Sequence, residues 1–158
     1  MLSIKTVIYA ATFCLAVTAS SSAAYGSERG TLPHVEGAVQ FPETRAKRVR
    51  HTLRLHIPRG SSSVSQLTVN VPNNLIVRDD IEVVGQSSRQ VDATISVNGR
   101  TINIAFSKPV APDTQLNINL NRVLISGVSN AWSYPVSAFL TAPALNLPIG
   151  IAQLPMRQ

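Results

Sequence analysis

The segment Val91-Asp-Ala-Thr-Ile-Ser-Val97, Asn98-Gly99, Arg100-Thr-Ile-Asn-Ile-Ala-Phe106 constrains the fold more than any other stretch. Two runs alternate apolar and polar residues on either side of Asn-Gly. That dipeptide favours a type I′ turn, which needs positive φ at both central positions. A two-residue Asn98-Gly99 loop predicts the pairs Val97–Arg100, Ile95–Ile102, Ala93–Ile104 and Val91–Phe106. One face of the hairpin is then almost wholly apolar, while the other carries Asp92, Thr94, Ser96, Thr101, Asn103 and Ala105. A register slip of one residue would turn every side chain to the wrong face.

The rest of the chain reads in the same period, and no stretch sustains a helical one. Leu67, Val69 and Val71 alternate, as do Leu116, Ile118 and Leu120. Leu75-Ile-Val77 and Ile81-Glu-Val-Val84 flank the turn Arg78-Asp79-Asp80. In Trp132–Leu140 the residues Trp132, Tyr134, Val136, Ala138 and Leu140 share one side, which reads as a buried face rather than a sugar-stacking platform. Pro135 within that run suggests an edge, or the first part of the strand. Pro148–Leu154 closes the series. Some eight short strands with turns between them predict an all-β fold, a single immunoglobulin-like antiparallel β-sandwich over residues 41–158. Residues 25–40 are polar and turn-rich and read as a leader or tether outside the core.

Residues 1–24 carry one charge, Lys5, then the apolar run Thr6–Val17 and a small-residue tail ending in Ala24. This order matches a cleaved signal peptide with the cut after Ala24. The run is short of the ~20 apolar residues a membrane-spanning helix needs, so no transmembrane span is expected after cleavage. Cys14, the one cysteine, would leave with the signal. The exported chain would then have no disulfide, thiol nucleophile or thiolate metal site.

The formal net charge is +6, and eleven arginines outnumber three lysines. In an exported protein this balance points to anionic surfaces rather than nucleic acid. The charge concentrates between residues 45 and 59. If 48–57 are extended, Arg48, Arg50, Thr52, Arg54 and His56 face one way, and Val49, His51, Leu53, Leu55 and Ile57 face the other. Same-face arginines two apart stand roughly 7 Å from each other. That is inside a Debye length of about 8 Å at physiological salt, so they repel. Three causes could offset the repulsion. Acids such as Glu43, Asp92 or Glu82 could face the row, the charges could guard an edge strand, or an external anion could bind. The anion-binding candidates are Arg45, Lys47, Arg48, Arg50, Arg54 and Arg59.

Little in the sequence suggests catalysis. The three histidines, His34, His51 and His56, all precede residue 57, and no Gly-x-Ser-x-Gly elbow is present. His51 and His56 lie five apart, so one strand points them to opposite faces. Asp79, Asp80 and Glu82 are too few for a calcium cage, which takes six to eight oxygens; they read as a solvated turn. Asn117, Asn119 and Asn121 read as a solvent-facing row. No catalytic residue, metal site or cofactor is expected.

The order of several motifs is familiar. Phe41-Pro-Glu-Thr-Arg45 precedes a strand ending Leu55-His-Ile-Pro58. Phe106-Ser-Lys-Pro-Val-Ala-Pro-Asp-Thr114 follows later, then Leu116-Asn-Ile118, Tyr134-Pro-Val136 and Ile149-Gly-Ile-Ala152. Over roughly residues 41–152 the chain resembles an exported cyanobacterial family known as domain of unknown function 2808. Its members usually carry Gly where this chain has Asp113. The resemblance implies an exported compartment and brings no catalytic residue. The expectation is therefore an exported, non-catalytic binding or structural module, in the periplasm, on the envelope or outside the cell. Its partner would be an anionic envelope component: a lipid head group, an acidic glycan or an acidic protein. The alternatives are a subunit of an extracellular or periplasmic assembly joined through strand edges, and, less in keeping with the residues, a glycan-active enzyme.

Overall fold

The computed structural model describes residues 30–44 and 46–155. Its ten strands are β1 (His34–Phe41), β2 (Arg48–Ile57), β3 (Val64–Asn70), β4 (Leu75–Ile76), β5 (Ile81–Val84), β6 (Ala93–Asn98), β7 (Thr101–Val110), β8 (Thr114–Ile125), β9 (Ala131–Thr141) and β10 (Ala144–Pro155). All pairings are antiparallel. One sheet runs β1-β2-β8, with β5 and β4 sharing the far side of β8, and the other runs β10-β9-β3-β7-β6. Their inner faces meet in one core that includes Leu53, Ile118 and Leu120 from the first sheet and Leu67, Ile102, Ile104 and Val136 from the second. No helix among the described residues is long and apolar enough to cross a membrane.

Strict alternation explains most of this. Along β2 the inward residues Val49, His51, Leu53, Leu55 and Ile57 are buried, while Arg48, Arg50 and Arg54 are exposed. The β6–β7 hairpin also forms, but its register differs from the expected one. Asn98 pairs with Thr101, Val97 with Ile102, Ile95 with Ile104 and Ala93 with Phe106. The loop is therefore Gly99-Arg100. Gly99 has φ 62 and Arg100 has no positive φ. Glycine in the first central position suits a type II′ turn, the other tight hairpin connection. Cross-strand partners moved by an even number of residues, so the buried face survives the change.

One further expectation is corrected and another is narrowed to one of its alternatives. Residues 34–40 are not a tether, because β1 pairs along β2 from His34–His56 to Phe41–Arg50. A bulge between Val35 and Gly37 interrupts its period and hides it in the sequence. Pro135 does not mark an edge, since β9 lies between β10 and β3. β3 pairs with β9 only from Val136 onward, so the missing N–H of Pro135 falls in the first part of the strand, beyond β3. The signal-peptide assignment for 1–24 lies outside the described residues.

β1 also packs against β10, closing one side of the sandwich. Gly150 makes that approach possible: its φ is 138, and a Cβ there would meet the Val35 side chain at 3.2 Å.

Candidate functional site

The inward alternation of β2 forces its other half outward, and there the arginines stand. Arg48, Arg50 and Arg54 are all exposed. β2 lies between β1 and β8. Its charges therefore do not guard an edge.

Nor do acids neutralise them. Among the described residues, the ion pairs are Glu36–His56, Arg59–Asp113 and Arg122–Asp80, and none involves Arg48, Arg50 or Arg54. Asp92 precedes β6 in the opposite sheet. Glu82 faces Asn119 across β5–β8, with β8 separating it from β2. Glu43 lies in the β1–β2 connection, at the rim of a cleft. Asp80 pairs instead with Arg122, whose Nε lies 3.1 Å from the Oδ2.

The residues in register with the arginines are neutral. On the β8 side, Arg54 faces Asn117 and Thr52 faces Asn119, with the Thr52 hydroxyl donating to the Asn119 Oδ1 at 2.8 Å. Asn117 and Asn119 also line a shallow polar trough with Gln115 and the turn Gln86–Ser88. On the β1 side, Arg50 faces Phe41, and its guanidinium carbon lies 6.0 Å from the ring centroid. Phe41 is 68 % exposed and Val39, beside Thr52, is 42 % exposed. Basic groups and open apolar side chains thus share one face, a combination that sequence reading missed because β1 was not foreseen.

The other candidates separate. Lys47 lines the cleft at the end of the sandwich. Arg59, past the end of β2, donates to Asp113 at 3.2 Å. Arg45 lies outside the described residues. The structure brings Arg48, Arg50 and Arg54 onto one face, joined there by Arg122. Arg122 occupies a β8 bulge opposite Arg50 with φ 54.

Beneath this face His51 is fully buried. Its Nε2–H donates to the Gln40 Oε1 at 3.1 Å, and the Tyr134 hydroxyl, 2.6 Å from Nδ1, donates to that bare nitrogen. Gln40 can only accept through Oε1, which fixes this tautomer. Burial lowers the His51 pKa from 6.5 to about 4 and pushes the Tyr134 hydroxyl well above its usual range. Trp132 is also buried and tilts over the imidazole at 5.6 Å between centroids. Both nitrogens of His51 are thus committed, and the group supports the core rather than a reaction. Gln40 lines a cleft of about 730 Å³, together with Glu43, Thr44, Ala46 and Lys47, the 127–130 connection, Leu154 and Pro155. His34 and His56, the other imidazoles, stand together at the opposite end of the arginine face.

Residues 31–150 match the family described as a protein of unknown function, DUF2808, and the chain belongs to it. No curated protein matches the chain. Among solved structures, the bacterial hydrophobin BslA is similar, with a TM-score of 0.55 at 10 % identity over 80 % of this chain and 94 % of that one. An uncharacterised Nocardia farcinica protein with an immunoglobulin-like fold gives 0.54 at 14 % identity, covering 79 % and 99 %. The collagen-binding subdomain of the Enterococcus faecalis surface protein ACE gives 0.51 at 13 %, covering 75 % and 94 %. At such identities the likeness is one of fold: the chain is an immunoglobulin-like β-sandwich.

Proposed function

We propose that the protein is an exported, non-catalytic binding module that docks on anionic groups of the cell envelope through the outer face of β2. The observation that carries this reading is the row Arg48, Arg50 and Arg54. These three guanidiniums lie on an interior strand, unpaired with any described carboxylate and flanked by exposed Phe41 and Val39. Of the three causes that could offset their repulsion, an edge role does not fit the topology and facing acids do not fit the ion pairs. An external anion would offset it. Guanidinium forks suit phosphate, sulfate and carboxylate groups. Phe41 would add apolar contact at a membrane or glycan surface. Similarity in fold to a hydrophobin and to a collagen-binding domain of a surface protein agrees with a role outside the cell.

Retention on the organism's own envelope fraction across a salt series tests this. Wild type should be held at low salt and released as salt rises. The Arg48→Ser/Arg50→Ser/Arg54→Ser variant, shown to be folded by circular dichroism, should pass through. Equal passage of both proteins would refute the docking role.

A second reading, a subunit of an extracellular assembly, has one observation in its favour. β6 ends its sheet with six residues that include no charge and no proline. Such an edge can pair with another chain. Size-exclusion chromatography would then show a mass that grows with concentration, and a constant monomer mass would remove this reading.

A further inference from the structure

His34 and His56 are register partners on β1 and β2, and their rings meet edge to face with centroids 5.2 Å apart. Glu36 is the extra residue of the β1 bulge, without a partner on β2. Its carboxylate lies 3.9 Å from the His56 Nδ1, too long for a hydrogen bond. One donor atom from each of the three residues falls within 4.8 Å of the others. Among the described residues neither nitrogen of His56 has a hydrogen-bond partner, and His34 has one through Nδ1 alone. That contact is with the Leu32 carbonyl at 3.2 Å. Nδ1–H can only donate there, so the lone pair sits on Nε2. An outer hydrogen bond that fixes the tautomer in this way is a usual companion of metal-binding imidazoles.

We propose that His34, Glu36 and His56 form a surface site for a zinc-like divalent cation. A tetrahedral zinc with bonds of 2.0–2.2 Å sets its donors about 3.4 Å apart. All three side chains are exposed or half-exposed, so they can close by the small difference. Two imidazoles and one carboxylate suit zinc, copper(II) or nickel(II). They do not suit calcium or magnesium, which seek all-oxygen shells. Two features of the neighbourhood shape the site further. Arg54 lies opposite Gly37, and Gln115 faces His56 from β8. With a guanidinium nearby, affinity comes from ligand geometry rather than from an acidic field. Water fills the remaining positions. A bound ion would tie the start of β1 to β2 at the end of the arginine row, and the ligand set does not include the arginines.

Both calorimetric titration and spectroscopy can test this on untagged protein, with zinc chloride alone as the probe. One ion per chain should bind with roughly micromolar affinity, while magnesium and calcium give no saturating signal. His34→Ala and His56→Ala should each weaken zinc binding at least about tenfold. Glu36→Gln should weaken it less, and Arg54→Ser should keep or improve it. Copper(II) added to the wild-type chain should broaden the NMR signals of the His34 and His56 rings before those of buried His51, a readout that needs no variant. Absence of saturable zinc binding, or equal affinity in the His34→Ala/His56→Ala double variant, would overturn the proposal. So would copper broadening spread evenly over the surface.

Discussion

Replacing His51 with Gln should flatten the acid limb of the stability curve. Burial holds the folded-state pKa of His51 at about 4, against 6.5 for the free side chain. Between those values the unfolded chain binds a proton that the folded chain refuses, so stability rises with pH across that window. The contribution is complete above about pH 6.5 and is lost as pH falls toward 4. Linkage with these two values gives a loss of about 2 kcal/mol by pH 5 and about 3 kcal/mol by pH 4. Glutamine keeps a donor for Gln40 and an acceptor for the Tyr134 hydroxyl, but it has no charge to acquire. Urea melts of both chains at pH 7, 5 and 4 would isolate the effect, because His34, His56 and every carboxylate are common to both. The variant should lose about 3 kcal/mol less than wild type between pH 7 and pH 4. Equal losses would show that His51 is free to protonate in the folded state, and the account of a sealed, neutral imidazole would fail.

Two more expectations concern the same framework. Tyr134→Phe removes the hydroxyl that donates to the His51 Nδ1 at 2.6 Å. It leaves that buried acceptor unpaired, at a cost of about 1–3 kcal/mol in denaturant unfolding. Gly150→Ala places a methyl 3.2 Å from the Val35 Cβ at a φ of 138. It should lower stability by about 1–3 kcal/mol in thermal melts, and an unchanged melting temperature would mean that β1 does not press on β10 as described.

Much of the architecture was legible because burial on one face writes itself as period two. The β2 alternation located both the core row and the arginine row, and the Trp132–Leu140 alternation located a buried face. Failures came where one residue breaks that period. The bulge at Val35–Gly37 hid β1, and with it the facing of His34 on His56 and the placement of Phe41 beside Arg50. Gly99 can serve either position of a tight turn, and placing it second rather than first put the expected hairpin register one turn residue off. Asp113 takes φ 61. That conformation explains why glycine, which adopts it without steric cost, is the expected residue there. No sequence signal reveals that Asp113 pairs with Arg59 while Arg48, Arg50 and Arg54 stay unpaired. Those facts depend on which strands become neighbours.

The most direct test of the central claim is co-sedimentation with vesicles of phosphatidylglycerol in phosphatidylcholine, set against pure phosphatidylcholine, at low and high salt. At about 1 kcal/mol for each basic side chain near an anionic surface, Arg48, Arg50 and Arg54 together correspond to roughly a hundredfold in affinity. Wild type should pellet with the anionic vesicles at low salt, stay in solution with the neutral ones, and lose binding in the triple Ser variant. Binding that is indifferent to lipid charge, or unchanged in the variant, would contradict the account.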